Sequence, residues 1–245
     1  VSDLLTLPTR RDEAFRYADI ASLETLWPVA MQEIRVAAGQ SDSLALVLDG
    51  AAADARDLSI VLEDGASFDL HLLNAGSAYG RIAVEVRLGK RSRFHLGAAQ
   101  IAGGDQTVEV VTEVRHAEPD AVSTQVVRSV LAGHATGTYL GRVAVARGAI
   151  GTDGSQSIRA MLLDRTATAN ARPELEIYAD DVKCAHGCAV GELDPQGLFY
   201  LAQRGLPPAA AKKLMLQAFI AEAFVGAADE EALTQAALAA LEAVL

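Results

Sequence analysis

From about residue 31 to residue 192 the chain is written in short alternating segments bounded by turn residues, and no helical period interrupts them. The alternation is plain in Phe68-Asp69-Leu70-His71-Leu72, in Ile82 to Leu88 and in Val108 to Val114. Further strands are predicted at 122 to 130, 139 to 146, 157 to 163 and 174 to 178. Turn signals fall between them at Gly39, Asp49-Gly50, Asp64-Gly65, Asn74-Ala75-Gly76, Gly103-Gly104, Glu118-Pro119-Asp120 and Gly151 to Gly154. Without intervening helices there is no βαβ crossover, so the choice lies between a sandwich, a barrel and a solenoid. Only 5% of the chain is aromatic while 51% is hydrophobic, so the core is built from Val, Leu, Ile and Ala. Such side chains suit regular rungs stacked on one another. Alternation alone serves a β-sandwich equally well, and on periodicity the two remain open.

The ends read differently. Residues 1–30 form a lead-in in which Pro8-Thr9 precedes Arg10-Arg11-Asp12-Glu13, predicting a short helix that starts near Thr9, with Trp27 as a packing anchor. Residues 193–245 turn helical after Asp194-Pro195, an N-cap followed by a favourable first helical residue. Gly205 closes this helix; a second opens at Pro207-Pro208, carries Leu216, Phe219, Ile220, Ala223 and Phe224 as one stripe, and stops at Gly226. A third opens on Asp229-Glu230-Glu231 and carries Leu233, Ala237, Leu241 and Val244. This small helical unit reads both as a cap over the open end of the strand stack and as a docking surface for a partner.

The net charge of −11 repels nucleic acid and anionic lipid. Apolar stretches are interrupted well short of the ~20 residues that span a bilayer, which points to a cytoplasmic protein with no membrane partner. Phosphate-binding loops, dinucleotide fingerprints, nucleophile elbows and His-Glu-x-x-His helices are absent from the sequence, so no ATP hydrolysis is expected from the chain itself. Asp180-Asp181 is the most tempting carboxylate pair, yet adjacent strand residues point to opposite faces. His71, His95, His116 and His134 are scattered without ligand spacing and read as surface or satisfied histidines.

Lys183-Cys184-Ala185-His186-Gly187-Cys188 differs, and holds both cysteines of the chain. On an extended strand Cys184, His186 and Cys188 leave the same face about 6.6 Å apart. The two thiols are then roughly 13 Å from each other, beyond disulfide reach. Thiolate and imidazole suit soft or borderline metals and iron–sulfur clusters, but one row does not close a tetrahedral site, so a second chain or sulfide has to complete it. The alternative reading is that these cysteines are small buried hydrophobes.

The run from Arg172 to Gly187, followed by Val190-Gly191 and by Leu198-Phe199-Tyr200-Leu201-x-x-Arg204-Gly205, closely resembles the carboxy-terminal signature of the SufB/SufD family of iron–sulfur cluster assembly proteins, in its SufD branch. Arg10 to Tyr17 also resembles that family's amino-terminal segment. The resemblance implies a right-handed parallel β-helix over 31–192 with a C-terminal helical domain. It further implies a non-catalytic scaffold that pairs through its β-helix with SufB, or with itself, and docks a SufC ATPase through its helices. Within that implication His186 and Cys184 are candidate iron or cluster ligands at the subunit interface. Leu198, Phe199, Tyr200, Leu216, Phe219, Ile220 and Phe224 are candidate partner contacts. No cofactor is expected to be tightly bound to the isolated chain; the cluster is held transiently by the complex. Cys188 departs from the family pattern, where Ala is usual. The chain is also shorter than many members at its amino-terminal side, and its first residue is Val1. Two rivals stand beside this reading: a carbohydrate-active β-solenoid enzyme, and a simple homodimeric interaction protein.

Overall fold

A computed structural model describes residues 6–245; the first five residues of the lead-in lie outside it. Twelve strands follow one another: β1 (Met31–Val36), β2 (Ser41–Leu48), β3 (Asp54–Leu62), β4 (Ser67–Ala75), β5 (Tyr79–Leu88), β6 (Arg93–Ala102), β7 (Thr107–His116), β8 (Val122–Leu131), β9 (Thr136–Val145), β10 (Asp153–Leu162), β11 (Thr168–Ile177) and β12 (Lys183–Gly191). Odd strands form one six-stranded sheet and even strands another, each strand pairing in parallel with the one two places along. That topology is a two-sided parallel β-solenoid and excludes the antiparallel sandwich.

The rungs stay in register because their turns stack. Gly39, Gly65, Arg91, Asp120, Gly151 and Asp181 all adopt positive φ, between 53° and 74°. Each of the first five donates its backbone N–H to the turn of the next rung, from Gly39 to Asp64 O at 2.9 Å through to Gly151 to Asp181 O at 3.0 Å. Asp181 is thus the last member of a turn ladder, and the tempting carboxylate pair sits in a connection, not in a site. Inside, columns such as Ile60, Val86, Val114 and Val143 repeat one aliphatic side chain per rung. Burying each contributes about 1.5–3 kcal/mol.

Three strands begin earlier than their sequence patterns suggest: β9 at Thr136, β10 at Asp153 and β11 at Thr168. In β10 a glycine read as part of a turn, Gly154, lies inside the strand. The expected helix near Thr9 is instead a turn held by the Asp12 carboxylate, followed by a 3-10 turn at Glu13–Phe15 and the short helix α1 (Ile20–Glu24). Trp27 does anchor this segment, packing edge-on against Phe15 with ring centroids 6.1 Å apart. The lead-in is clasped to the odd sheet by a buried ion pair, Arg81 to Glu109 at 2.5 Å. Arg81 also donates to Ala14 O and covers the Phe15 ring at 4.3 Å, while Glu109 accepts from Asp19 N.

The helices α2 (Pro195–Gln203), α3 (Pro208–Ala221) and α4 (Glu230–Val244) do not cap the solenoid end. They lie on the outer face of the even sheet, where Leu216, Phe219, Ile220, Ala223, Phe224, Leu233, Ala237 and Leu241 pack on Leu73, Ala75, Ala99, Ile101 and Val130. Arg128 on β8 ties the seat down with an ion pair to Glu222 at 2.7 Å. Gly97 on β6 permits the close approach of the chain at Ala223. Among the described residues no helix is long and apolar enough to cross a membrane.

Candidate functional site

Because the helices sit on the flank, the last rung is uncovered. Strand β12 pairs only with β10, and β11 only with β9, leaving one edge of each without a strand neighbour. Sequence sets the register at this rung: Cys184 stands beside Gly154, His186 beside Gln156 and Cys188 beside Ile158. Gly154, Gln156 and Ile158 are buried on the inner face of β10, so the three donor residues project toward the lumen at its open end. Facing them across the rung are Ala171, Pro173 and Leu175 of β11, in register with Tyr139, Gly141 and Val143.

The donors differ in surroundings. Cys184 is half-buried, and its Sγ lies over Gly154, 3.5 Å from where a Cβ on that residue would stand, an ordinary packing distance. Burial raises the Cys184 thiol above its ordinary range, with a backbone hydrogen bond from Gly154 acting in the opposite sense. Cys188 is exposed, and partial burial raises its thiol as well. Both are therefore protonated at neutral pH, and a metal has to displace the proton. The two sulfurs are too far apart to share one ion; each can act with His186. Among the described residues no group of three or more His, Cys, Asp or Glu is able to hold a metal ion.

Beneath it the lumen is polar. One inward column runs Leu44, Leu70, Leu96, Gln125, Gln156, His186, changing from aliphatic to amide to imidazole as it nears the open end. Tyr139 reaches across from the odd sheet, donating from its hydroxyl to Gln125 Oε1 at 3.0 Å and accepting from Gln156 Nε2 at 3.2 Å. Thr112 also donates to Gln125 Oε1, at 2.9 Å. Burial pushes the Tyr139 hydroxyl up to about 12, so it stays protonated. A second column runs Ser123, Gly154, Cys184, with His116 Nε2 2.8 Å from Ser123 Oγ. Burial lowers His116 to about 4. His116 is thus an interior residue, and His71 is buried beside the half-buried His95 with ring centroids 5.4 Å apart, so of the surface and satisfied readings open to these three the surface one does not hold.

The helical candidates divide. Phe199 and Tyr200 are 64% and 54% exposed on α2, with Leu198 half-buried between them and the body of the protein. Leu216, Phe219, Ile220 and Phe224 are buried against the chain's own solenoid and do not face a partner. The signal that reveals this is in the strands: Leu72-Leu73, Ala98-Ala99 and Val130-Leu131 break alternation with apolar neighbours, giving the even sheet a second apolar face for the helical stripe to cover.

An open-ended parallel solenoid with thiol and imidazole side chains on its terminal rung and a helical unit on its flank defines the class of fold. Residues 36–219 match the family described as SUF system FeS cluster assembly, SufBD core domain. The chain belongs to this SufBD family of iron–sulfur cluster assembly proteins. It is 31% identical over 181 residues to the iron–sulfur cluster assembly protein SufD of Escherichia coli (strain K12), covering 74% of this chain and 42% of that protein. It is 32% identical over 163 residues to protein ABCI7, chloroplastic, of Arabidopsis thaliana, covering 65% and 34% respectively. A SufBD family protein of Synechocystis sp., slr0076, is 30% identical over 178 residues, covering 65% and 39%. The chain therefore spans about a third to two fifths of the length of these relatives.

Proposed function

We propose that this chain is a non-catalytic scaffold subunit whose last rung joins the last rung of a SufB-type subunit, or of a second copy, so that an iron–sulfur cluster is assembled at the seam. The cluster is cargo, held transiently. His186 is the principal donor and Cys184 the second, each contributing one ligand to a set completed across the seam. The observation that carries this reading is the unpaired edge of β12. From Cys184 to Gly191 it has no Asp, Glu, Lys, Arg or Pro, the residues that ordinarily keep a strand edge from pairing. The β11 edge carries Arg172, Pro173, Glu174 and Glu176, so pairing is directed to the strand that bears the donors. The outward side of α2, with Phe199 and Tyr200, is the docking surface for a SufC-type ATPase, which supplies the hydrolysis that this chain has no loop for.

The test is a set of variants in the co-expressed complex, read by cluster absorbance and iron content beside thermal melts. His186→Ala is expected to leave the melt and ATPase capture unchanged while cluster content falls sharply. Cys184→Ser should lose less and Cys188→Ala little. A double Phe199→Ala/Tyr200→Ala variant should lose ATPase capture alone. Normal cluster content in His186→Ala would refute the ligand assignment, and unfolding would make the histidine structural.

A further inference from the structure

The polar column under the last rung ends on an unused acceptor. Gln156 is buried in the lumen, and its amide nitrogen is committed to the Tyr139 hydroxyl at 3.2 Å. Tyr139 can take that bond because its own hydrogen is spent on Gln125. The direction of the chain leaves Gln156 Oε1 as the free end, and this oxygen is buried without a hydrogen-bond partner. Only one more residue continues the column toward the open end, and it is His186, directly in register on β12. Adjacent strands lie about 4.8 Å apart and in-register side chains leave the same face, so imidazole and amide are neighbours. A buried acceptor without a donor is unfavourable, and the first three rungs of this column avoid the problem by placing Leu44, Leu70 and Leu96 here. Its retention asks for a donor. Gln125 Nε2 is also unpartnered and in register on the other side, but an amide oxygen has two lone pairs and accommodates both.

Resting on the reading of His186 as a cluster donor, we infer that Gln156 is a positioning residue: its amide oxygen accepts the ring N–H of His186 and so fixes which imidazole nitrogen is left to face the seam. A neutral imidazole carries one N–H and one lone pair, and the hydrogen bond made by one nitrogen decides which nitrogen binds metal. Gln156 holds the ring nitrogen nearest to it as the N–H and turns the lone pair of the other nitrogen outward. Gln125, Tyr139 and Thr112 hold Gln156 in turn.

The experiment uses the full chain labelled with 15N-histidine, the His186 signals being assigned by their loss in His186→Gln. In the wild type the neutral His186 ring is expected as a single tautomer. Gln156→Met, close in volume and without an acceptor, should give a mixture of both. Gln156→Glu, whose carboxylate still accepts, should restore the single form. In the co-expressed complex Gln156→Met should weaken iron retention about 10-fold, the lower end of the loss typical when a metal-bound histidine is deprived of its hydrogen-bond partner. The double variant with His186→Ala should be no worse than His186→Ala alone. If Gln156→Met fails to fold, Gln156→Asn, one methylene too short to reach, takes its place with the same expectation. Identical tautomer populations in the wild type and in these variants would overturn the inference. A changed tautomer together with normal clusters in His186→Ala would instead leave the Gln156 contact standing and remove the ligand assignment.

Discussion

Adding a single methyl group at Gly97 tests whether the helical unit is held by a fitted contact or merely by apolar attraction. A Cβ at this position would lie 1.9 Å from Ala223 O and 2.8 Å from His71 Cδ2. Neither neighbour can yield cheaply: one is backbone, and the other is a buried ring packed beside His95. In Gly97→Ala the chain around Ala223 therefore has to retreat by about 1 Å or more, a forced overpacking that costs roughly 1–3 kcal/mol. The loss rises further if Phe224, fully buried in the same contact, is drawn out with it. In a chain of this size each kcal/mol lowers the melting temperature by about 2–4 °C. Amide hydrogen exchange separates a local effect from a global one. Protection should fall in α3 and α4 and be retained in the inner strands β5, β7 and β9, with ATPase capture weakened in parallel. An unchanged melt with unchanged exchange over α3 would refute the fitted seat.

The buried clasp and the interior histidine give two further expectations. Glu109→Ala should destabilise the fold by about 3–5 kcal/mol in urea unfolding, because it strands the Arg81 guanidinium in the interior, whereas Arg81→Met with Glu109→Leu should recover most of that loss. His116, held near 4 by burial against an ordinary value of 6.5, binds its proton more weakly folded than unfolded. Its contribution is therefore present above about pH 6.5 and is lost as pH falls toward 4, by roughly 3 kcal/mol. His116→Gln should flatten the stability profile over that window, as read by urea midpoints.

What the sequence discloses about this molecule follows from what each feature costs locally. Strand alternation and helix stripes are repeated many times, so the β region, the three C-terminal helices and the same-face row of Cys184, His186 and Cys188 are legible from residue types alone. The solenoid repeat is not, because its marker is a backbone conformation. The positive-φ turn position is filled by glycine at 39, 65 and 151, but by Arg91, Asp120 and Asp181 elsewhere, at intervals of 26 to 31 residues. An identity search for repeated letters passes over it. Gly154 misleads for a related reason: it reads as a turn, whereas it lies inside β10 with the Cys184 thiol packed over it. Placing it in a turn starts β10 four residues late and hides Gln156 outside the part of the strand that faces the lumen. The stripe of α3 is legible as amphipathic, yet nothing within the helix says whether its apolar side meets a partner or the chain's own sheet. That is decided by the outward apolar residues of β4, β6 and β8.

The stacking of rungs also acts as a ruler. The helical seat rests on β4, β6 and β8, while the donor row lies on β12, two strands beyond the nearest of these. With neighbouring strands about 4.8 Å apart, the offset between seat and donors along the solenoid axis is about 10 Å, and it changes only in whole steps. Point substitutions within a rung leave that length untouched. Removing or duplicating one complete rung shifts it by a single step while preserving every turn and every column. In the proposed complex, chain length between β8 and β12 thereby encodes the distance over which motion of a docked partner would be delivered to the seam.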